Sequence, residues 1–177
     1  MKTRTIFALA LSLTAFLSWL AYETLLDTHN SPEVVNKSHH IKRHDFSLPD
    51  LSGQPQAFSQ WQNKVILVNF WATWCPPCRR EIPDFIDIYK QYKDQDFIII
   101  GIATDDKAKV ADFVKQLGIN YPILVGGRSA MQVSYQYGNH SGALPYSIIF
   151  DKQGIIRYRA GGLMSKEKLL NQIKPLL

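Results

Sequence analysis

Hydrophobic positions divide the chain into an apolar N-terminal segment, a polar connecting segment and a long region of mixed patterns. Ile6–Leu26 is almost wholly apolar and holds Glu23 as its only charge. As a helix with a rise of about 1.5 Å per residue, this segment would span roughly 30 Å, the thickness of the hydrocarbon core of a bilayer. The pattern predicts a transmembrane helix within residues 1–26. Residues 27–43 are polar and show no periodicity, as expected for a flexible tether.

A cleaved secretory signal peptide is the alternative interpretation of this N-terminal segment. Such a peptide ends in a cleavage site with small residues at two positions, whereas Ser18–Glu23 places bulky residues there. We therefore favour an uncleaved anchor. Lys2 and Arg4 favour a cytoplasmic N-terminus, although the basic residues within 37–43, on the far side of the helix, weaken this preference.

From residue 44 onward, short apolar runs alternate with amphipathic stretches. Val65–Phe70 and Phe97–Ala103 are continuous apolar runs, typical of buried strands. Between them, Pro76 begins a predicted helix that runs to about Gln95 and that Pro83 should kink. The other predicted elements are an opening hairpin (residues 46–48 and 56–58), strands at Ile123–Val125, Tyr146–Phe150 and Ile155–Ala160, and helices at Lys107–Leu117, Ala130–Tyr137 and Ser165–Leu177. This order predicts one α/β domain over residues 44–177, a sandwich around a mixed sheet.

Composition and charge exclude one large class of partners. The apolar fraction of 46% is ordinary for a globular protein and is enough to build a core. The formal net charge is +5, but the lysines and arginines are scattered along the chain. Because a nucleic-acid groove requires a basic stripe, we expect no nucleic-acid partner. The charge indicates at most a mild attraction to anionic lipid or to an acidic protein.

The two cysteines, Cys75 and Cys78, form a C-x-x-C sequence. A structural disulfide stabilises a protein mainly by closing a long loop, and this ring would be very short. The pair is therefore either a redox-active dithiol or half of a metal site. The pair lies at the predicted junction of a buried strand and a helix, where the positive end of the helix dipole lowers the pKa of Cys75. Cys75 is expected at the open surface end, with Cys78 close enough to resolve a mixed disulfide.

A zinc half-site is the alternative interpretation of the cysteine pair. Tetrahedral zinc needs two further ligands. The histidines are His29, His39, His40, His44 and His140. Four of them lie in the tether or at its edge, and no two have a usual ligand spacing beyond adjacency. We therefore predict no metal site.

The segment Val68–Pro83 resembles the active site of thioredoxins, and most closely that of the membrane-anchored TlpA/ResA-like thiol–disulfide reductases. The resemblance covers Phe46–Leu177, and its most specific parts are residues 70–78 and 144–146. It implies a thioredoxin-like sandwich with a mixed central sheet, with Lys107–Val125 as the βα insertion that is typical of the family. It also implies that Pro145 is a cis-proline opposite the disulfide, which pairs with the backbone of the substrate. The implied substrate-binding residues are Trp74, Pro76, Pro77, Leu144 and Pro145.

The same resemblance implies a function. It indicates an enzyme without a bound cofactor that reduces disulfides of client proteins outside the cytoplasm, in cytochrome c maturation or metal-centre assembly. Its electrons would come from a thiol carrier embedded in the membrane. The protein would then be a single-pass protein of the bacterial cytoplasmic membrane, with its catalytic domain on the periplasmic or extracytoplasmic side.

Two other functions remain open at this point. A disulfide-donating oxidase would differ from a reductase in its redox potential. A copper-delivery module would use the thiols as ligands, and His140 is its candidate histidine. Against copper, related copper carriers usually separate their cysteines by three residues, and the residues around His140 have the composition of an ordinary loop.

Asn69 and Glu81 form a second pair of interest. Thioredoxins carry a buried aspartate where this chain has Asn69, which cannot accept a proton, whereas Glu81 matches a glutamate that is frequent in TlpA/ResA-like proteins. On a helix, Glu81 lies roughly 60° from Cys78, at the flank of the inward face. We predict that Glu81 is buried, has a raised pKa and exchanges protons with Cys78. The alternative is a solvated surface glutamate.

Overall fold

The computed structural model describes residues 44–177. The predicted transmembrane helix (1–26) and tether (27–43) lie outside the described residues. Within residues 44–177, no helix has the length and apolar character needed to cross a membrane.

Seven strands form the β-structure of the domain. They are β1 (Ser47–Pro49), β2 (Pro55–Ala57), β3 (Val65–Trp71), β4 (Phe97–Ala103), β5 (Ile123–Val125), β6 (Tyr146–Phe150) and β7 (Ile156–Gly161). Five of them form a central mixed sheet with strand order β5-β4-β3-β6-β7. The neighbours β3, β4 and β5 run parallel, whereas β6 and β7 are antiparallel additions on the other side of β3. A separate antiparallel hairpin, β1 with β2, precedes the sheet, and a bridge from Asp50 to Leu124 connects the two.

Helices cover both faces of this sheet, so that β3 and β4 are buried throughout. Successive residues of a strand point to opposite faces, so Leu67 and Trp71 belong to one core and Val68 and Phe70 to the other. The helices are α1 (Pro76–Tyr92), α2 (Lys107–Leu117), α3 (Arg128–Gln136) and α4 (Lys166–Ile173). The first core is closed by α1, α2 and α4, and the second by α3 and the hairpin.

The predicted mixed α/β sandwich is therefore confirmed, with corrections at helix ends. α1 ends at Tyr92 rather than near Gln95, because the N–H of Gln95 bonds the carbonyl of Tyr92, three residues earlier, which forms a turn and not a further α-helical turn. Asp96, at a positive φ of 54°, then leads the chain into β4. α3 begins at Arg128, two residues before the predicted start. The last predicted helix is divided: α4 ends at Ile173, and a 3-10 turn that contains Pro175 follows, since proline has no N–H to continue an α-helix.

Candidate active site

A disulfide joins Cys75 and Cys78 where β3 passes into α1. Cys75 is the N-cap of the helix, and its sulfur accepts a hydrogen bond of 3.4 Å from the backbone N–H of Cys78. Pro76 and Pro77 occupy the first two helical positions and have no N–H to donate. In this disulfide form Cys75 is only 2% exposed. The expectation of an open first cysteine was therefore wrong for this form, because the neighbouring side chains cover its sulfur.

The exposed groups beside the disulfide are instead the residues predicted to bind substrate. Trp74 is 67% exposed. Pro76 is also exposed, and Pro77 and Leu144 are half-buried. These side chains give the site an apolar rim that water reaches, of the kind that protein-binding surfaces present.

The Leu144–Pro145 peptide bond is cis, as predicted. Because β3 pairs Phe70 with Tyr146, the residues after β3 and those before β6 lie at the same end of the sheet. The loop after β7 joins them, since the N–H of Gly162 donates a 2.8 Å hydrogen bond to the carbonyl of Pro145. The next residue of this loop, Leu163, is 42% exposed, and the sequence analysis did not predict it as part of the site. A leucine in a glycine-containing loop was the available signal.

Glu81 is buried inside the domain, at 1% exposure. One carboxylate oxygen accepts a 2.7 Å bond from the side-chain amide of Asn69, and the other accepts a 2.8 Å bond from the backbone N–H of Met164. Burial raises the pKa of Glu81 from 4.5 to about 7, and the two hydrogen bonds oppose part of that rise. Glu81 lies three residues after Cys78 on α1, which makes the two side chains neighbours on the helix. The predicted burial and raised pKa are thus present in the structure.

Asn69 orients Glu81 by bridging two elements. Its side-chain NH₂ donates to Glu81 and also, at 3.1 Å, to the hydroxyl of Ser147, its neighbour in the β3–β6 pairing. Its buried carbonyl oxygen has no hydrogen-bond partner among the described residues. Ser147 and Met164 were not predicted as parts of the site. A serine in the otherwise apolar run Tyr146–Phe150 was the only sequence signal.

Tyr121 and Trp71 complete the interior behind Glu81. Burial, together with the negative charge of Glu81, raises the pKa of Tyr121. The indole N–H of Trp71 is buried and has no partner within residues 44–177. Both rings crowd Gly101, where an added Cβ would lie 2.7 Å from Ile123 Cδ1 and 3.1 Å from both Trp71 Nε1 and Tyr121 Cε2. A side chain at position 101 would therefore require at least the side chain of Ile123 to shift.

Two polar contacts tie the segment before Cys75 to the end of β4. The hydroxyl of Thr73 donates to the carboxylate of Asp105, and the backbone N–H of Thr104 donates to the carbonyl of Trp71 at 2.9 Å. Partial burial raises the pKa of Asp105, but the hydrogen bonds from Thr73 and from the backbone N–H of Asp106, together with the charge of Lys109, outweigh it, so that the net pKa is lowered. The backbone on the approach to Cys75 is therefore anchored to the residues that directly follow β4.

The histidine considered for copper lies apart from any ligand cluster. His140 is exposed, and its ring makes an edge contact with Tyr135 at a centroid distance of 4.6 Å. Over residues 44–177, no three His, Cys, Asp or Glu side chains are grouped so that they could hold a metal ion.

Comparisons with known proteins agree with this geometry. Residues 41–159 match the model of the AhpC/TSA family. The chain is 33% identical to the thiol-disulfide oxidoreductase ResA of Geobacillus kaustophilus over 135 residues, which cover 74% of this chain and 75% of that protein. The ResA of Halalkalibacterium halodurans is also 33% identical over 135 residues, with 74% of each chain covered.

Solved structures give the same result for the fold. A thiol:disulfide interchange protein of the thioredoxin family from Chlorobium tepidum matches with a TM-score of 0.69 and 30% identity, covering 76% of this chain and 94% of that one. A putative thiol:disulfide interchange protein DsbE from Chlorobium tepidum has a TM-score of 0.70 and 26% identity, with the same coverage. With its C-x-x-C disulfide at the start of α1, this chain belongs to the AhpC/TSA family and is a thioredoxin-fold thiol–disulfide oxidoreductase of the ResA/DsbE type.

Proposed function

We propose that this protein reduces disulfide bonds of client proteins outside the cytoplasm, by dithiol–disulfide exchange through Cys75 and Cys78. One observation carries the proposal. The Cys75–Cys78 pair opens α1 one helical turn before a buried carboxyl group, that of Glu81, whose pKa of about 7 suits it to accept and release protons near neutral pH.

The exchange has two steps. The Cys75 thiolate attacks one sulfur of the client disulfide, forming a mixed disulfide and releasing the other client sulfur as a thiolate. Glu81 then takes the proton of Cys78, whose thiolate attacks the sulfur of Cys75. The Cys75–Cys78 disulfide forms, and the client leaves with both sulfurs reduced. Two electrons have passed to the client, so a thiol carrier in the membrane must reduce the enzyme again.

The capping geometry supports reduction as the direction. A thiolate at the N-cap can accept hydrogen bonds from backbone N–H groups of the first helical turn. Pro77, at the second helical position, removes one of the two N–H groups that can reach the cap, and only that of Cys78 bonds the sulfur of Cys75 in the structure, at 3.4 Å. A weakly stabilised thiolate makes the reduced form less stable and lowers the redox potential. We expect a value nearer that of thioredoxin, about −270 mV, than that of the strong oxidant DsbA, about −120 mV.

Client recognition would use the apolar rim of the site. Trp74, Pro76, Pro77 and Leu144 offer apolar surface to a client segment. Pro145 would pair with the backbone of that segment, as the resemblance implies. The clients we expect are proteins of cytochrome c maturation or metal-centre assembly, as the resemblance to TlpA/ResA-like reductases implies. The predicted anchor in residues 1–26 would hold the domain at the bacterial cytoplasmic membrane, on its periplasmic or extracytoplasmic side.

A trapping experiment tests this proposal. Cys78→Ala prevents resolution, so mixed disulfides through Cys75 should accumulate and mass spectrometry should identify the clients. Cys75→Ala is the matched control and should trap nothing, because the attacking sulfur is missing. Equal trapping by both variants would contradict the assignment of the two cysteines. A measured potential near about −120 mV would contradict the reductive direction.

A further inference from the structure

The loop before the cis-proline is built around one buried side chain, that of Asn139. Asn139 is only 3% exposed. Its amide nitrogen donates to the carbonyl of Ala143 at 2.9 Å, and its amide oxygen accepts from the N–H of Ala143 at 3.0 Å. One side chain thus holds both backbone groups of the residue that precedes Leu144.

The same side chain is itself anchored to a helix. The amide nitrogen of Asn139 also donates to the hydroxyl of Ser134 at 2.9 Å, and its backbone N–H donates to the carbonyl of Ser134 at 3.1 Å. Ser134 is fully buried in α3. The loop contains Gly138 and Gly142, both at positive φ, and glycines give little backbone rigidity of their own. The rigidity at Ala143 therefore comes from α3 through Asn139.

Leu144 lies between anchored neighbours and is itself unpaired. On one side, Asn139 holds Ala143. On the other, the carbonyl of Pro145 accepts from Gly162, and the hydroxyl of Tyr146 donates to the carbonyl of Tyr137 at 3.0 Å. The N–H and C=O of Leu144 make no hydrogen bond to any group in the part of the chain that the structure describes. A donor and an acceptor are thus held in place at the disulfide end of the sheet.

An extended peptide can bind such a residue by main-chain hydrogen bonds, as when a strand is added to a sheet. A free loop would lose conformational entropy in that contact, and a loop that is already fixed avoids much of the loss. We propose that Asn139 is a positioning residue, which presents the backbone of Leu144 to an extended peptide segment beside the client disulfide. This inference rests on the proposed function. It assigns to Asn139 the capture of peptide disulfides and not the exchange chemistry itself.

Three disulfide probes separate these roles in the reduced full-length chain, kept in mild detergent. The first is bis(2-hydroxyethyl) disulfide, which has no peptide backbone. The second is a short extended peptide whose central cysteine is disulfide-bonded to 2-mercaptoethanol. The third is the same peptide with N-methyl groups on the amides around the cysteine, which removes its hydrogen-bond donors. Stopped-flow tryptophan fluorescence gives a second-order rate constant for each probe.

We expect the wild type to reduce the peptide faster than its N-methylated form. Asn139→Ala should lower the peptide rate about tenfold, which corresponds to about 1.4 kcal/mol, and should leave the small disulfide within about twofold. Its preference for the peptide over the N-methylated form should disappear. Asn139→Asp keeps the acceptor oxygens but loses both side-chain donors, so it should show an intermediate loss and serves if the alanine variant does not fold. Ser141→Ala, which alters only a long 3.4 Å contact to Asn139 Oδ1, is the control and should match the wild type.

Two results would overturn the inference: an equal slowing of all three probes, which would indicate a general structural defect, or an unchanged preference for the peptide in the Asn139 variants. A wild type that reduces none of the probes through Cys75 would instead overturn the proposed function. The two failures are therefore distinguishable.

Discussion

Replacing Glu81 by glutamine removes a proton site and keeps the shape of the side chain. The amide oxygen of the new residue can accept from the N–H of Met164, as the carboxylate does. Its NH₂ can donate to the carbonyl oxygen of Asn69, which has no partner in the described residues, once the Asn69 amide turns over. The buried hydrogen bonds are therefore retained, and we expect the variant to fold.

The magnitude of the effect on stability follows from the pKa of Glu81. Below about pH 4.5 the carboxyl group is protonated in both folded and unfolded chains. As the pH rises, the unfolded chain releases the proton first, because the folded-state pKa is raised from 4.5 to about 7. The free energy of unfolding should therefore fall by roughly 3 kcal/mol between these two pH values and change no further above them. Glu81→Gln should lack this decrease.

The effect on catalysis appears in the resolving step. Loss of a positioned general base typically costs about 10² to 10⁴ in rate, so resolution by Cys78 should slow by at least about 10² near pH 7. Stopped-flow fluorescence from about pH 5 to about pH 9 should show an inflection near pH 7 for the wild type and none for the variant. Denaturant titrations over the same pH range measure how the free energy of unfolding changes with pH. Glu167→Gln, at an exposed site in the first turn of α4, is the matched control.

A specific result would refute this reasoning. If Glu81→Gln and the wild type exchange disulfides at the same rate across the whole pH range, Glu81 is not the proton acceptor of Cys78. If only the stability profile changes, the carboxyl group is buried as the structure shows but takes no part in the exchange.

Three further predictions concern the helix cap, the interior and the anchor. Pro77→Ala restores an N–H in the first turn of α1 and should raise the redox potential by about 30 mV, measured against glutathione buffers. Pro76→Ala should change the potential less, because an N–H at position 76 would not reach the sulfur of Cys75. Gly101→Ala should lower the free energy of unfolding by about 2 kcal/mol, because its Cβ would overlap Ile123 Cδ1 at 2.7 Å; an unchanged denaturation midpoint would contradict this. The full-length protein should stay in the membrane fraction after alkaline carbonate extraction, and a mature N-terminus found within residues 27–43 would instead indicate a cleaved signal peptide.

Sequence patterns predicted those features that depend on local periodicity or on one specific motif. Val65–Phe70 and Phe97–Ala103 are apolar throughout, and a sheet covered on both faces requires such strands. The helical position of Glu81 relative to Cys78 predicted a side chain turned inward, and the structure confirms its burial. The cis-proline followed from the resemblance and its place before a strand.

The remaining features depend on contacts that no local pattern contains. Glu81 accepts a hydrogen bond from the backbone N–H of Met164, 83 residues later in the chain. Asn69 donates a hydrogen bond to the hydroxyl of Ser147, 78 residues later. Because every residue except proline has a backbone N–H, the residue type at position 164 does not indicate that its N–H donates to Glu81. Asn139 looked like an ordinary loop residue, since asparagine is common in glycine-containing loops, and only the folded loop brings its amide to Ala143. The near burial of Cys75 likewise depends on the neighbours that close over it.

The long separations around Glu81 also bear on the order in which the site can form. The cysteines and Glu81 belong to the first half of the domain, whereas Ser147 and Met164 lie in its last third. Contacts between residues far apart in sequence form late, because a long loop must first be closed. During synthesis and folding, the two thiols are therefore present before the groups that hold the carboxyl group in place. Until β6 and the loop after β7 have docked, the chain carries a cysteine pair without its proton acceptor, and its thiol chemistry at that stage is that of an unfolded dithiol.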